Sequence, residues 1–534
     1  MNLAEYTLKQ LAAWGVRRVY GVMGDAILTL MDALGRQGDI QFVQVRHEAA
    51  AGFMASAEAK LTGGLAACIG TSGPGLANLI NGLGDAYADR VPLLVLTGQV
   101  ESYKVGTDVK QDVNQQALVQ GLAGYTAQVT APGAAPAILA RALKTAVAEG
   151  RVAQVSVPKD YWGAQVDAPF HPPEPFLTAP PVPAPAVVAE AAGWLRGARR
   201  PVILAGHGAR GGARELLALA EAWGGGVILA LGAKGMLPGA HPLVLGGVGT
   251  GGSDAAHRAL QECDLVLVAG STWWPADYMP AGVPVIQIDR CPANIGAKTP
   301  VAYGLPGDCR EILRGLLAAG VVRRVEWISR LEVLKQEWEA TLGREAEAGD
   351  PGGPVSPARL VRALEEAIAG NTVITVDTGD HLLWFNRHFR GSGQQQVLFS
   401  GTWRTMGFAL PAAAAARLAR PQAPALALVG DGGLTMQLGE LAVPAQLGLD
   451  LTVVVARNGA LALEEFKARS EGLTPFGHTL NNPDFAAVTR AFGWQAWKAE
   501  SPGDLEPALR AALAHPGPAL VDVNTARDGS LHKS

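Results

Sequence analysis

Short apolar, β-branched runs that stop on glycine, aspartate or threonine recur along the chain, and stretches of helical spacing separate them. Examples are "VPLLVLTGQ" (91–99), "PVILAGHGA" (201–209), "DLVLVAG" (264–270), "VPVIQID" (283–289), "TVITVDTGD" (372–380) and "PALALVGDGG" (424–433). Runs this short and this continuously apolar suit strands covered on both faces, and alternation with helices predicts parallel sheets built from βαβ units. The small oxygen-bearing residues that end them would then lie at the carboxyl edges of the sheets, where open α/β folds bind ligands.

Two proline- and glycine-rich stretches, "PFHPPEPFLTAPPVPAP" (169–185) and "GREAEAGDPGGPVSP" (343–357), read as linkers, because proline continues neither a helix nor a central strand. They divide the chain into blocks at about 1–165, 186–340 and 355–525, and the expected fold is three Rossmann-like α/β domains with parallel sheets. With 49% hydrophobic and 17% charged residues the chain can bury large cores. A net charge of -4 argues against a nucleic-acid partner. The start, "MNLAEYTLKQLAAWGV", reads as an amphipathic helix rather than a secretory signal. No apolar run approaches the roughly 20 residues of a membrane span, and four dispersed cysteines form no CxxC pair, so a reduced cytoplasmic protein is expected.

One interval carries chemistry. Asp431 follows one apolar run inside "GDGG", and Asn458 follows the next inside "ARNG", with "LGELAVPAQLG" between them. In a βαβ unit the two strands are neighbours, so a carboxylate, an amide oxygen and a nearby backbone carbonyl can form half of the oxygen shell of Mg²⁺. Gly430, Gly432 and Gly433 would let backbone approach phosphate groups at a helix start. Two ordinary turn residues in an unrelated flavodoxin-like domain would produce the same local pattern.

"GDGG" followed by "ARNG" resembles the signature of thiamin diphosphate enzymes, and the resemblance extends over nearly the whole chain. It implies that Asp431, Asn458 and the Ala460 carbonyl hold Mg²⁺. It implies that Glu48 in "VRHEAAAGF" protonates the aminopyrimidine ring of the cofactor, so that the ring can act as an intramolecular base. Gly73, Pro74 and Gly75 match the glycine loop, Gly379, Asp380 and His381 the diphosphate segment, and Thr405 with Met406 the apolar wedge that bends the cofactor. Because the clamp and Glu48 lie in different domains, which meet across a subunit boundary in this family, a homodimer or homotetramer is expected.

"AEAKLTGG", "VAQVSVPKD" and "LALGAKGMLPGAHPLVLGGVGTGG" are most similar to the pyruvate oxidase and acetolactate synthase branch, closest to pyruvate oxidases. That implies decarboxylation of a 2-oxo acid, pyruvate in the first place, with FAD in the central domain at Gly206, Gly208, Lys234, Gly247, Ser271 and Asp289. A non-redox carboligase, a 2-oxo acid decarboxylase or an inactive cofactor-binding relative are the alternatives. Departures bear on the choice. Lys110, Gln111 and Asp112 stand where a Phe-Gln-Glu run is usual, and Lys110 is either a surface residue or a cation awaiting a substrate carboxylate or phosphate. Leu463 replaces an aromatic residue near the flavin, and Glu464 falls where keto-acid decarboxylases place a glutamate, or on a solvated helix face. The tail "ARDGSLHKS" shows no amphipathic membrane segment.

Overall fold

The structure is a computed structural model, and the described residues are 1–174, 181–272, 274, 276–529 and 531. The first linker therefore lies partly outside the described residues, as does part of the C-terminal tail.

Three sheets follow one another along the chain, each of six parallel strands. Across the first lie Gln41–Gln44, Arg18–Gly21, Ala66–Gly70, Leu93–Gln99, Val152–Pro158 and Tyr125–Gln128. Across the third lie Gln396–Leu398, Val373–Val376, Ala425–Gly430, Thr452–Arg457, Ala519–Asn524 and Gln495–Ala499. Counted along the chain within each sheet, both run 2-1-3-4-6-5, so these two units share one topology. The middle sheet runs Tyr303–Pro306, Val285–Asp289, Leu265–Ala269, Pro201–Ala205, Gly226–Leu229 and Val244–Gly247. Its order reverses between Leu265–Ala269 and Pro201–Ala205, which makes the crevice beyond those two strands a topological switch point. This is the expected set of three Rossmann-like α/β units.

The first and third units share a core. Helix Glu48–Thr62 follows the second strand of the first sheet, helix Ala409–Ala419 the second strand of the third, and the two helices pack together. Both are built of small residues and buried nearly all round, so each touches neighbours on every side. On another side, helix Pro74–Ala88 approaches Glu48–Thr62 so closely that a Cβ on Gly82 would come within 2.5 Å of the Gly52 Cα. At the far end of Glu48–Thr62, the buried Lys60 ammonium lies 2.7 Å from both Asp85 and Asp89 and donates to the Phe399 carbonyl. Asp89 in turn accepts from the Gly401 and Thr402 amides. A charged latch thus ties the first unit to the loop that leads to Met406.

The second linker is shorter than the sequence indicates. Helix Val325–Glu347 continues through Gly343, because "REAE" is a strong helix former and Glu345 is held by Arg387 at 2.7 Å and by His388 at 3.0 Å. All four cysteines are free thiols, with Cys68, Cys263 and Cys309 buried. Burial pushes those three up to about 12, so they are inert at neutral pH. Among the described residues no helix is long and apolar enough to cross a membrane.

Candidate active site at the edge of the third sheet

Strands Ala425–Gly430 and Thr452–Arg457 are hydrogen-bonded neighbours, with Gly430 opposite Ala456. The register brings the turns that follow them together. Asp431 Oδ2 accepts from the Gly459 amide and from Asn482 Nδ2, both at 2.7 Å, and Asn458 Oδ1 accepts from the Ala460 amide at 3.0 Å. One carboxylate, one amide oxygen and the local carbonyls form a hard-oxygen set suited to a divalent cation that keeps water or phosphate as its other ligands. Arg527 supports the turn from the tail, donating to the Asn458 and Gly459 carbonyls at 2.7 and 2.9 Å.

A cleft opens beside these turns. It is lined by Thr378, Gly379, Asp380, His381, Met406, Gly430 to Gly433, Asn458 and Ala460 to Glu464, among others. Thr378 Oγ1 and His381 Nε2 are buried there without any hydrogen-bond partner among the described residues. Buried polar atoms are ordinarily paired, so two orphans in one cleft mark a place for a polar ligand. Burial pushes His381 down to about 4, opposed by a hydrogen bond to the Asp377 backbone, so the ring is neutral in this form. A phosphate oxygen against Nε2 would draw a proton onto the ring. The glycines leave little slack: a Cβ on Gly379 would meet His381 Cε1 at 2.7 Å, and one on Gly432 would meet Met406 Cε at 2.9 Å.

Asp377, at the end of strand Val373–Val376, organises the floor. Its carboxylate accepts from the Gly407 and Phe408 amides at 2.9 and 3.0 Å, which fixes the turn after Met406. Burial pushes Asp377 up to about 6, and those amides oppose the rise. Thr405 Oγ1 donates to the Met406 carbonyl and accepts from Asn81 Nδ2 at 3.0 Å, while Arg404 before it adopts a left-handed φ of +57°. A non-glycine residue held in that region marks a segment whose path is imposed by its surroundings.

The remaining candidates sit at the carboxyl edge of the first sheet. Glu48 opens helix Glu48–Thr62, and its carboxylate accepts from Asn78 Nδ2 at 2.9 Å. Gly73, at φ +60°, starts helix Pro74–Ala88, and a Cβ there would lie 3.0 Å from the Gln111 carbonyl. Gln111 itself has φ +66°, so the Gly73-Pro74-Gly75 turn and Gln111 lock each other. Lys110 is exposed. The cleft lining runs from Pro357 to Thr525 and includes none of these residues. Glu464 and Leu463 do line the cleft, although Glu464 pairs with Lys467 at 3.0 Å on an exposed helix face.

In the middle sheet, Gly206, Gly208, Lys234, Gly247, Ser271 and Asp289 all come to the carboxyl edge, around the switch point. Protein atoms engage them there. Lys234, only 2% exposed, donates to the Phe389 carbonyl at 2.7 Å, and burial lowers it to about 8. Asp289 accepts from the Cys291 amide and Asn294 Nδ2, and Gly208 donates from its amide to the Gly270 carbonyl at 2.9 Å. Orphaned polar atoms adjoin this edge as well: Arg210 Nε, His257 Nε2 and Asn386 Oδ1 are buried with no hydrogen-bond partner among the described residues.

Asp377, Asn482, Arg527 and Glu440 were not among the candidates from sequence, and Thr378 lay unremarked inside "TVITVDTGD". The first four act through partners distant in the chain, which spacing does not reveal.

Comparison with known proteins agrees with this geometry. Residues 1–118 match the thiamine pyrophosphate enzyme N-terminal TPP binding domain, 188–316 the central domain, and 377–523 the C-terminal TPP binding domain. A putative thiamine pyrophosphate-containing protein, YdaP, of Bacillus subtilis (strain 168) is 34% identical over 96% of this chain and 90% of its own. Acetolactate synthase isozyme 1 large subunit of Escherichia coli (strain K12) is 30% identical, covering 97% and 93%. Pyruvate oxidase of Lactiplantibacillus plantarum is 30% identical, covering 98% and 88%. With three domain matches in order and relatives of this similarity along almost its full length, the chain belongs to the thiamine pyrophosphate enzyme family, in the branch that contains pyruvate oxidases and acetolactate synthases.

Proposed function

We propose that the chain is a thiamin diphosphate- and Mg²⁺-dependent enzyme that decarboxylates a 2-oxo acid, with pyruvate the expected substrate. The observation that carries this reading is the pair of orphaned polar atoms, Thr378 Oγ1 and His381 Nε2, in the cleft beside Asp431 and Asn458. Residues 355–525 would bind the diphosphate, residues 1–165 the pyrimidine ring, and residues 186–340 form the central domain.

Asp431, the Asn458 amide oxygen and the Ala460 carbonyl would hold Mg²⁺. Thr378, Gly379, Asp380, His381 and the glycines at 430, 432 and 433 would take the diphosphate, and Met406, held by Thr405 and Asp377, would press against the cofactor from the cleft floor. When bound, thiamin diphosphate supplies the carbon nucleophile and the electron sink that decarboxylation of a 2-oxo acid requires. Glu48 would hold a proton at the pyrimidine ring nitrogen, and Gln111 with the Gly73-Pro74-Gly75 turn would wall the substrate. Lys110, which is exposed, would be available to a substrate carboxylate, and Glu464 to a proton transfer. The cleft lining starts at residue 357, which fits a Glu48 supplied by another copy of the chain and supports a homodimer or homotetramer.

The L. plantarum relative is named pyruvate oxidase and the E. coli relative acetolactate synthase, so the product of decarboxylation has two fates to choose between. One is FAD-mediated oxidation to an acetyl product. The other is non-redox, by carboligation or simple release, and Leu463 in the cleft lining favours it. Visible absorption of the purified protein decides between them. A colourless protein that releases CO₂ from pyruvate with added cofactor supports the non-redox reading, flavin bands that bleach with pyruvate support oxidation, and no CO₂ release from any 2-oxo acid would sink both.

A further inference from the structure

Glu440 lies in the one-turn segment Leu438–Leu441, between the Asp431 turn and helix Ala442–Leu447. It is 3% exposed, yet among the described residues it makes no ion pair. Its carboxylate crosses to the first unit, where Oε1 accepts from the Arg46 amide at 3.0 Å and the His47 amide at 2.9 Å. Those are the two residues immediately before Glu48. His47 is the N-cap of the Glu48 helix, with Nδ1 accepting from the Ala49 amide at 3.2 Å. A second tether runs the same way, from Arg46 Nη2 to Gln446 Oε1 at 2.7 Å.

A buried carboxylate whose hydrogen bonds come from backbone amides, with the Arg46 charge nearby, is an expensive way to fill space. Burial pushes Glu440 up to about 7 despite the two donors, and an apolar side chain of similar size would avoid that cost. What a carboxylate supplies and an apolar group cannot is a strong, directional acceptor for two successive N–H groups at the entry of a helix. The far end of the same helix is pinned by Lys60 to Asp85, Asp89 and the Phe399 carbonyl. Both ends of the helix that carries Glu48 are therefore fastened to the third unit of the same chain.

We infer that Glu440 is a positioning residue, which sets the Glu48 carboxylate by holding the Arg46 and His47 amides. This rests on the reading of Glu48 as the group that protonates the cofactor. It also means that the unit holding one diphosphate aims the carboxylate that serves another, since Glu440 and the Asp431 cleft belong to the same unit.

Glu440→Ala and Glu440→Gln test this. In the cofactor-free protein, amide hydrogen exchange at Arg46 and His47 should rise about tenfold or more in Glu440→Ala and stay near wild type in Glu440→Gln, which keeps an acceptor oxygen. In the loaded enzyme, Glu440→Ala should lower kcat by about a hundredfold, with KM and cofactor affinity changed by no more than about threefold. Glu440→Gln should restore most of kcat. Unchanged exchange in Glu440→Ala, or raised exchange with unchanged kcat, would overturn the inference. If Glu440→Ala does not fold, a folded Glu440→Gln with protected amides but kcat as low as that of Glu48→Gln would overturn it equally. Glu48→Gln separates the two levels: full turnover in that variant refutes the role of Glu48 itself, and leaves the amide protection standing.

Discussion

Asp431 Oδ2 accepts a 2.7 Å hydrogen bond from the Gly459 amide, so the side chain that ends one strand is fastened to the turn that ends its neighbour. Asn482 Nδ2 meets the same oxygen at 2.7 Å. Asp431→Asn would turn an NH₂ group either toward both of these donors or toward the Gly432 amide that donates to Oδ1, and cost about 1–3 kcal/mol of stability. The larger effect is on binding. Wild type should gain about 3 kcal/mol of stability with thiamin diphosphate and Mg²⁺ at a hundred times the dissociation constant, and a chelator or Asp431→Asn should remove that gain. Thermal melts with each addition check this, and a cofactor-induced shift that survives both treatments would refute the clamp.

Gly433 faces Asp377 so closely that a Cβ would overlap Oδ2, with Asp377 Cγ at 3.0 Å and the Gly407 amide nitrogen at 3.5 Å. Gly433→Ala must push the carboxylate off the Gly407 amide, at a cost of about 1–3 kcal/mol, and loosen the turn that carries Met406. Gly35→Ala is the control: no atom lies within 4 Å of its Cβ and the residue is helical, so the change should stabilise by about 0.5–1 kcal/mol. Equal melting temperatures for the two variants would contradict the packing described.

Asp377 and His381 share the cleft and respond to pH in opposite senses. Asp377 titrates at about 6, above its unfolded value, so its contribution to stability is complete below the unfolded pKa and is lost as pH rises through 6. His381 titrates at about 4, below its unfolded value, so its contribution is complete above the unfolded pKa and is lost as pH falls through 4. Asp377→Asn removes the first dependence alone. Between about pH 4 and pH 7 the unfolding free energy of wild type should fall relative to Asp377→Asn by up to about 3 kcal/mol. Urea titrations at several pH values measure the difference, and a flat one would show that Asp377 is not buried as described.

Much of the third sheet was legible because its signals are local. Asp431 and Asn458 each close a short apolar run, and a βαβ unit makes those runs neighbours. Glu48 at a helix start and Gly73 in a tight turn were legible for the same reason. Glu440, Asp377 and Asn482 were not, because each matters through a backbone or side chain on another element, and no periodicity records that meeting. Lys234 illustrates the converse: its place at the carboxyl edge follows from the strand pattern, but its partner, the Phe389 carbonyl, comes from another unit. At the second linker, glycine and proline were read as a break from Gly343 onward, whereas Glu345 has Arg387 and His388 to hold the helix on to Glu347.

On the proposal that Glu48 of one copy serves the clamp of another, mixing two inactive variants is the decisive test. Glu48→Gln and Asp431→Asn should each be inactive alone. Co-expressed or refolded together, they should form mixed dimers in which one of the two sites has both groups intact, restoring about a quarter of wild-type activity for random pairing. A mixture that stays inactive although the variants demonstrably co-assemble would contradict the account.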